Sequence, residues 1–297
     1  MPTIRDYLTS MKETFDLKKK TIEQIREDWV AMTAQANLPE GTMIDKTIVD
    51  SLSAEWVKAI NVPAGKEQTI LYFHGGGFYS GSAVTHRGLA ARISAASGVR
   101  VLVVEYRLAP ENKFPAANDD CLLAYRWLIR NGISSKNIIL GGDSAGGGLV
   151  IMTLLSLRDA CDPLPKAAFM LSPIGDLINF DGESYESRAE VDPMLSRNLC
   201  QLSANYYFDS SAIKPPILSP INENLSGLPS LLIQVGDHEV LLSDSIRLAE
   251  RAKEANVDVK LEIWDEMWHL FHSFGAIVPE ARQAIDNIGK FIKQHIG

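Results

Sequence analysis

Three short runs of this sequence are continuously apolar instead of alternating with polar residues, at positions 70–73, 101–104 and 138–140. A strand of this kind is covered on both faces, which is the situation of a parallel sheet between two layers of helices. Helix-length segments separate most of these strands along the chain, as connections between parallel neighbours require. The sequence therefore predicts an α/β fold with a mostly parallel central sheet flanked by helices.

The alternation of strands and helices extends over most of the chain and is interrupted twice. The predicted strands cover residues 54–60, 69–74, 100–107, 137–142, 167–172, 230–236 and 259–264, and the predicted helices cover residues 84–97, 116–130, 145–160, 243–255 and 279–295. Residues 1–44 carry sparse apolar positions at helical spacing, and residues 176–214 are rich in polar side chains before an aromatic group. We expect these two segments to form a helical cap over a core of residues 45–175 and 215–297.

Composition excludes several classes of function. Twenty-nine Lys and Arg stand against 37 Asp and Glu, a formal net charge of −8 at pH 7, so nucleic acid is not an expected partner. The sequence shows no apolar run long enough for a membrane helix or a signal peptide. The 3 cysteines are widely spaced and form no disulfide ladder. We expect a cytoplasmic protein without a membrane partner, and a homo-oligomer is compatible with the sequence.

The motif Gly142-Asp143-Ser144-Ala145-Gly146 follows an apolar strand and opens a helix. In this setting the glycines permit a tight turn that lifts the serine hydroxyl above the sheet, with a helix N-terminus behind it. The alternative is a glycine-rich turn whose serine only caps the helix. Neither of the common phosphate-binding glycine patterns fits the motif. The arrangement favours Ser144 as a nucleophile.

A second glycine-rich motif follows the predicted strand at residues 69–73. His74 precedes three consecutive glycines, whose backbone N–H groups are free to point into open space. Acyl transfer needs donors of this kind at the developing oxyanion, and Ala145, directly after Ser144, would supply another. A flexible turn is the alternative, but a second oxyanion-type motif at another strand end argues against it. We expect His74 to orient the glycine loop by hydrogen bonds.

A serine nucleophile needs a base, and the base needs a carboxylate to fix its tautomer. Among the 6 histidines, His269 lies in a loop after the last predicted strand, where an open α/β sheet places its site. A zinc site at His269 and His272 lacks the HExxH pattern and a cysteine partner, and we expect His272 to be packed or on the surface. The carboxylate is expected in the loop after residues 230–236. Asp237 and Glu239 both lie there, and their chemistry alone does not separate them.

Taken together, the motifs HGGG (74–77), YRLAPE (106–111) and GDSAGG (142–147) resemble those of the bacterial hormone-sensitive-lipase family of esterases. Weaker matches are FPA at 114–116, GLP at 227–229 and WHxFH at 268–272. The similarity runs from about residue 71 to residue 274. The resemblance implies an α/β-hydrolase core under a helical cap, and hydrolysis of carboxylic esters without a metal or organic cofactor.

The resemblance also assigns roles to individual residues. It implies Ser144 as nucleophile, His269 as base, and the N–H groups of Gly76, Gly77 and Ala145 as oxyanion donors. Family members commonly carry Asp-Pro-Leu about thirty residues before the histidine, and residues 239–241 align with that triplet. This alignment favours Glu239 as the acid, and α/β-hydrolases accept either acid. Choosing Asp237 would require a two-residue shift in the loop.

The expected reaction is the hydrolysis of short- to medium-chain carboxylic esters through an acyl-enzyme, with a small-molecule ester as the ligand. Lactone or amide hydrolysis would use the same machinery. A receptor that has lost a triad member is an alternative from another class, which the presence of all three triad residues disfavours. We expect apolar side chains of the cap to roof the site, with candidates Leu8, Met11, Phe15, Trp29, Tyr206, Tyr207 and Phe208.

Overall fold

The computed structural model describes residues 4, 8, 11–13, 15, 17, 19–34, 38–63, 67–209 and 213–296. Within these residues the strands are β1 (Met43–Val49), β2 (Leu52–Lys58), β3 (Thr69–Phe73), β4 (Arg100–Val104), β5 (Ile138–Asp143), β6 (Ala167–Leu171), β7 (Ser230–Gly236) and β8 (Val259–Trp264). The α-helices are α1 (Ile22–Ala34), α2 (Ala83–Ser97), α3 (Ala116–Arg130), α4 (Ala145–Asp159), α5 (Ser184–Ser187), α6 (Arg197–Tyr207), α7 (Leu242–Glu254) and α8 (Pro279–Ile296). Short 3₁₀ helices cover Ser135–Asn137, Pro216–Leu218, Pro220–Asn222 and Phe271–Phe274.

The described strands form one sheet in the order β1-β2-β4-β3-β5-β6-β7-β8. The pairs β1–β2 and β2–β4 are antiparallel, and every pair from β4 onwards is parallel. Phe73 pairs with Gly142 and Asp143 with Leu171, so the carboxyl ends of β3, β5 and β6 lie side by side. The predicted α/β fold with a mostly parallel sheet is confirmed.

Helices cover both faces of this sheet and bury it in two apolar layers. One layer packs α3, α4 and α7 against the sheet, and the other packs α2 and α8. Every residue of β3, β5 and β6 is buried. Coverage from both sides is the reason that these strands are apolar without alternation.

The sequence analysis did not predict β1, and it placed the start of β2 at residue 54. β1 lies at the edge of the sheet and pairs with β2 alone, and only its last residue, Val49, is buried. An exposed edge strand needs few apolar residues, so its sequence carries little signal. The predicted cap boundary at residue 44 falls inside this strand. Parts of the predicted cap, at 1–3, 5–7, 9–10, 14, 16, 18, 35–37 and 210–212, lie outside the described residues.

Candidate active site

Ser144 lies in the turn between β5 and α4, with a backbone φ of 53°. A Cβ atom on Gly146 would lie 2.0 Å from the carbonyl oxygen of Phe73, and one on Gly142 would lie 2.5 Å from the carbonyl oxygen of Gly146. Side chains at these two positions would therefore collide with backbone. The N–H of Ser144 donates to Leu171 O at 2.8 Å. Glycine and the neighbouring strand together allow the left-handed turn that lifts the serine hydroxyl above the sheet.

Loops after β7 and β8 bring a carboxylate and an imidazole to this serine. Nε2 of His269 lies 3.1 Å from Ser144 Oγ, and Nδ1 lies 2.8 Å from Glu239 Oε2. Glu239 is completely buried, and its other oxygen accepts from Ser172 Oγ at 2.7 Å and from Gly236 N at 2.6 Å. With both of its oxygens engaged, the carboxylate has a fixed orientation. The arrangement is that of a serine, histidine and acid triad.

Asp237, the other acid considered from the sequence, is engaged elsewhere. Its Oδ1 accepts from Arg188 Nη2 at 3.1 Å, and its carbonyl oxygen accepts from Arg188 Nε at 2.8 Å. The side chain is about one-third exposed, at 31%. Of the two carboxylates in this loop, Glu239 is the one in hydrogen-bond contact with His269.

The glycine loop after β3 lines the same cavity as Ser144, through Gly76 and Gly77. Gly76 and Gly77 have φ values of 120° and 61°. The carbonyl of Gly76 turns into the loop, where it accepts from Tyr79 N and Ser80 N. Among the hydrogen bonds of the described residues, none uses the N–H of Gly76 or Gly77. Ala145 is the first residue of α4, so its N–H has no partner inside the helix. These three donors are available to a negative oxygen beside Ser144.

Comparisons with known proteins agree with this geometry. A sequence model of a family with the α/β-hydrolase fold matches residues 70–273. An acetyl-hydrolase of Streptomyces hygroscopicus is 39% identical over 254 residues, which cover 85% of this chain and 83% of that relative. An esterase of Acinetobacter venetianus is 37% identical over 234 residues, which cover 78% and 77% of the two chains.

A solved structure of an esterase from the bacterial hormone-sensitive lipase family matches with a TM-score of 0.93 and 40% identity, and covers 100% of both chains. The chain belongs to this family of α/β hydrolases. Its relatives carry the names esterase, acetyl-hydrolase and carboxylesterase, and this family member is accordingly a serine ester hydrolase acting on small-molecule esters. The expected reaction class is confirmed.

In this hormone-sensitive-lipase-family esterase, His74 supports the glycine loop from below. Its Nδ1 lies 2.9 Å from Gly75 O, and its ring stacks on Tyr106 with centroids 4.2 Å apart. The hydroxyl of Tyr106 donates to His74 O at 2.6 Å. Burial lowers the pKa of His74 to about 3, so the ring is neutral and donates Nδ1–H to the carbonyl. The first residue of the YRLAPE motif therefore supports the loop that carries Gly76 and Gly77.

A buried network beside Ser144 was not predicted from the sequence of this esterase. Asp143 is completely buried, and it accepts from Tyr72 Oη at 2.7 Å and from His86 Nε2 at 3.3 Å. Burial favours the neutral acid, but the charge and hydrogen bond of His86 outweigh it and hold the pKa of Asp143 below its ordinary value. The available signal was Asp143 itself, because a buried carboxylate beside a nucleophile needs partners.

A small cavity of about 80 Å³ opens onto Ser144. Its walls are largely apolar. In this esterase the segment at 176–214 contributes Met194, Leu195, Leu199, Cys200 and Ser203, and the N-terminal segment contributes Met11, Lys12, Phe15 and Trp29. Other candidates for the roof lie elsewhere: Tyr207 is buried and stacks on Phe78 at 4.0 Å, Tyr206 packs against Tyr79, and Leu8 joins a cluster with Phe271.

The described residues contain no group of three or more His, Cys, Asp or Glu side chains placed to hold a metal. His272 is buried, and its Nε2 lies 3.1 Å from Gln234 Oε1. In the same part of the chain, no helix combines the length and apolar character that a bilayer crossing requires.

Proposed function

We propose that this esterase hydrolyses esters of short acyl chains by two-step acyl transfer at Ser144. The observation that carries the proposal is the unbroken hydrogen-bond chain from Ser144 Oγ through His269 to Glu239, at the mouth of a small apolar cavity. Nδ1–H of His269 donates to the carboxylate, which leaves Nε2 as the acceptor for the serine proton. The geometry thus supplies a base in the required tautomer.

In the first step Ser144 Oγ attacks the ester carbonyl carbon and His269 Nε2 takes its proton. The carbonyl oxygen becomes negative and accepts from the N–H groups of Gly76, Gly77 and Ala145. As this intermediate collapses, His269 returns the proton to the leaving alcohol, and the acyl group remains on Ser144. A water then attacks the acyl-enzyme by the same roles and releases the carboxylic acid.

Labelling with a fluorophosphonate tests the nucleophile directly. The probe should modify Ser144 of the native protein, because its phosphorus reacts with an activated serine. Mass spectrometry of the labelled peptide identifies the residue, and the Ser144→Ala protein serves as the control that stays unlabelled. A native protein that remains unmodified would favour the receptor alternative.

The size of the cavity supports the preference for short acyl chains. Its volume of about 80 Å³ is well below the roughly 300–1,000 Å³ of pockets for drug-sized ligands. Two names from related proteins point the same way: one relative is an acetyl-hydrolase, and a solved neighbour that is 39% identical with a TM-score of 0.91 was soaked with p-nitrophenyl butyrate. We propose that residues 1–44 and 176–214 act as the cap that closes this cavity. The cytoplasmic location and the homo-oligomer stay predictions.

Across a series of p-nitrophenyl esters, kcat/KM should peak at short to medium acyl chains and then fall. Each methylene that the cavity can bury gains about 0.8 kcal/mol, and carbons beyond its depth meet the roof or remain in water. Leu199→Ala removes part of the roof and should move the maximum to longer chains. A maximum at long chains in the native protein, or a jump in rate above the solubility limit of the ester, would identify a true lipase instead.

The pH dependence of kcat/KM should show an acid limb above pH 6.5. Burial disfavours the imidazolium, but the hydrogen bond and the charge of Glu239 outweigh it and raise the pKa of His269 above its ordinary value of 6.5. The base works only when neutral, so activity is lost as the pH falls through this raised pKa. The residual activity of Glu239→Gln should show its acid limb at lower pH, because the substitution removes the charge that raises the pKa of His269. Initial rates with p-nitrophenyl acetate measure both limbs, and a native limb below pH 6.5 would contradict the assignment of His269.

A further inference from the structure

A second buried carboxylate, Asp192, connects the cap to the loop of the triad acid. It lies between α5 and α6 and is 5% exposed. Oδ1 accepts from Met194 N at 2.9 Å and from Leu195 N at 2.8 Å, and Oδ2 accepts from Val240 N at 2.8 Å. None of the ion pairs among the described residues includes Asp192. Backbone N–H groups alone satisfy this carboxylate.

The two oxygens of Asp192 contact two parts of the site that no strand or helix connects. Met194 and Leu195, held by Oδ1, line the cavity above Ser144. Val240, held by Oδ2, directly follows Glu239 in the acid loop. A single carboxylate therefore connects the roof of the cavity to the residue that follows Glu239.

The same cap segment contacts the acid loop at two further points, since Ser184 Oγ donates to Val240 O at 2.6 Å and Arg188 contacts Asp237. This ion pair lies near the surface, since both side chains are about one-third exposed, at 32% and 31%. Exposed pairs of this kind contribute little stabilisation. The buried Asp192 contact is closer to the chemistry, and it is the one that reaches both the roof and the acid loop.

Asp192 also adds to the electrostatic environment of His269. Burial works against the imidazolium, while Glu239 from the acid loop, Asp192 from the cap and Asp143 from β5 all favour it. His272 also interacts with His269, but burial lowers the pKa of His272 to about 3, so its ring stays neutral. Burial raises the pKa of Asp192 above its ordinary value, and its backbone hydrogen bonds work against that shift. The imidazolium forms whenever His269 holds the serine proton, so Asp192 in its ionised form stabilises the same state as Glu239 does.

We propose that Asp192 is a positioning residue of this esterase, which fixes the cavity roof to the acid loop and supports the imidazolium of His269. The inference rests on the triad proposed above. It predicts that Asp192 acts mainly on kcat, because the contact through Val240 reaches the triad acid, and that its charge contributes to the acid limb of the pH profile.

Asp192→Asn tests this role. The amide has a single acceptor oxygen, so its NH₂ must face either Val240 N or the N–H groups of Met194 and Leu195, and it cannot accept from them. We expect kcat/KM for p-nitrophenyl acetate to fall about 10- to 100-fold, mostly in kcat, and the acid limb to move to lower pH. Asp192→Glu keeps the charge on a longer side chain, so its kcat/KM should fall while its acid limb stays near that of the native protein.

The matched control is Asp181→Asn, the same substitution on the cap at a side chain that is 61% exposed and pairs with Arg247. Its activity and acid limb should equal those of the native protein. An Asp192→Asn protein within threefold of this control, with an unmoved acid limb, would overturn the proposal. Thermal melting checks the fold, and if Asp192→Asn does not fold, Asp192→Glu decides. Failure of both to fold would assign Asp192 to folding and also overturn the proposal.

Fluorophosphonate titration separates this inference from the proposed function. Suppose that the probe labels Ser144 of the native protein and that the Asp192→Asn protein keeps the activity and the acid limb of its control. Only the role of Asp192 is then disproved. A native protein without labelling would disprove the triad itself.

Discussion

Replacing Ser144 by alanine is expected to abolish nearly all ester hydrolysis while the fold survives. Loss of a triad member commonly lowers kcat by about 10⁴- to 10⁶-fold, because the acyl-enzyme no longer forms. The substitution removes one hydroxyl beside the cavity and no core volume. Alanine and serine face the same cost at a φ of 53°, and the hydrogen bond from the backbone N–H to Leu171 O remains. Rates with p-nitrophenyl acetate and thermal melting measure the two effects.

Ser226→Ala is a suitable control for that experiment. Ser226 is exposed in the loop before β7, at the opposite end of the strand from the triad, so its hydroxyl should be dispensable. If Ser144→Ala kept a tenth of the native activity, Ser144 would not be the nucleophile.

Glu239→Gln should lower kcat by up to about 10⁴-fold, and the hydrogen bonds of the carboxylate explain why the isosteric amide fails. One oxygen accepts from His269 Nδ1, and the other accepts from Ser172 and Gly236. An amide has one oxygen, so its NH₂ must face either the histidine or the other two donors. Facing His269, it demands the tautomer with the proton on Nε2, which cannot act as a base. Facing the other two donors, it leaves buried groups unpaired.

Asp237→Asn is the matched comparison for Glu239→Gln, since it makes the same chemical change two residues away. Asp237 contacts Arg188 with a partly exposed side chain, and surface ion pairs contribute about 0–1 kcal/mol. Its activity should therefore stay near that of the native protein at the same pH, with the fold checked by circular dichroism. Near-full activity of Glu239→Gln together with a loss in Asp237→Asn would transfer the role to Asp237.

The acid loop shows where sequence reasoning reached its limit. Asp237 and Glu239 are both carboxylates in one short loop, and their order along the chain does not determine which one faces the histidine. The decision comes from distant segments, since Arg188 after α5 engages Asp237 while Ser172 after β6 binds Glu239. The family resemblance favoured Glu239 by alignment, and the hydrogen bonds give the physical reason for that choice.

The edge of the sheet and the network around Asp143 were outside the reach of the sequence for different reasons. β1 is exposed, so burial does not impose an apolar pattern on it. His86 lies 57 positions before Asp143, and a lone histidine at a helix start carries no sign of its partner. In both cases the missing information was a contact between segments rather than a property of either one.

By itself the sequence determined the α/β fold, the turn that carries Ser144 and the glycine loop at residues 75–77. These features depend on local requirements, because a strand covered on both faces must be apolar and a turn against backbone must be glycine. Only the tertiary structure decided the contacts of Glu239, the volume of the cavity and the position of Asp192. Each of these depends on side chains from segments far apart in the chain, and their distances are set when the helices and the loops pack onto the sheet.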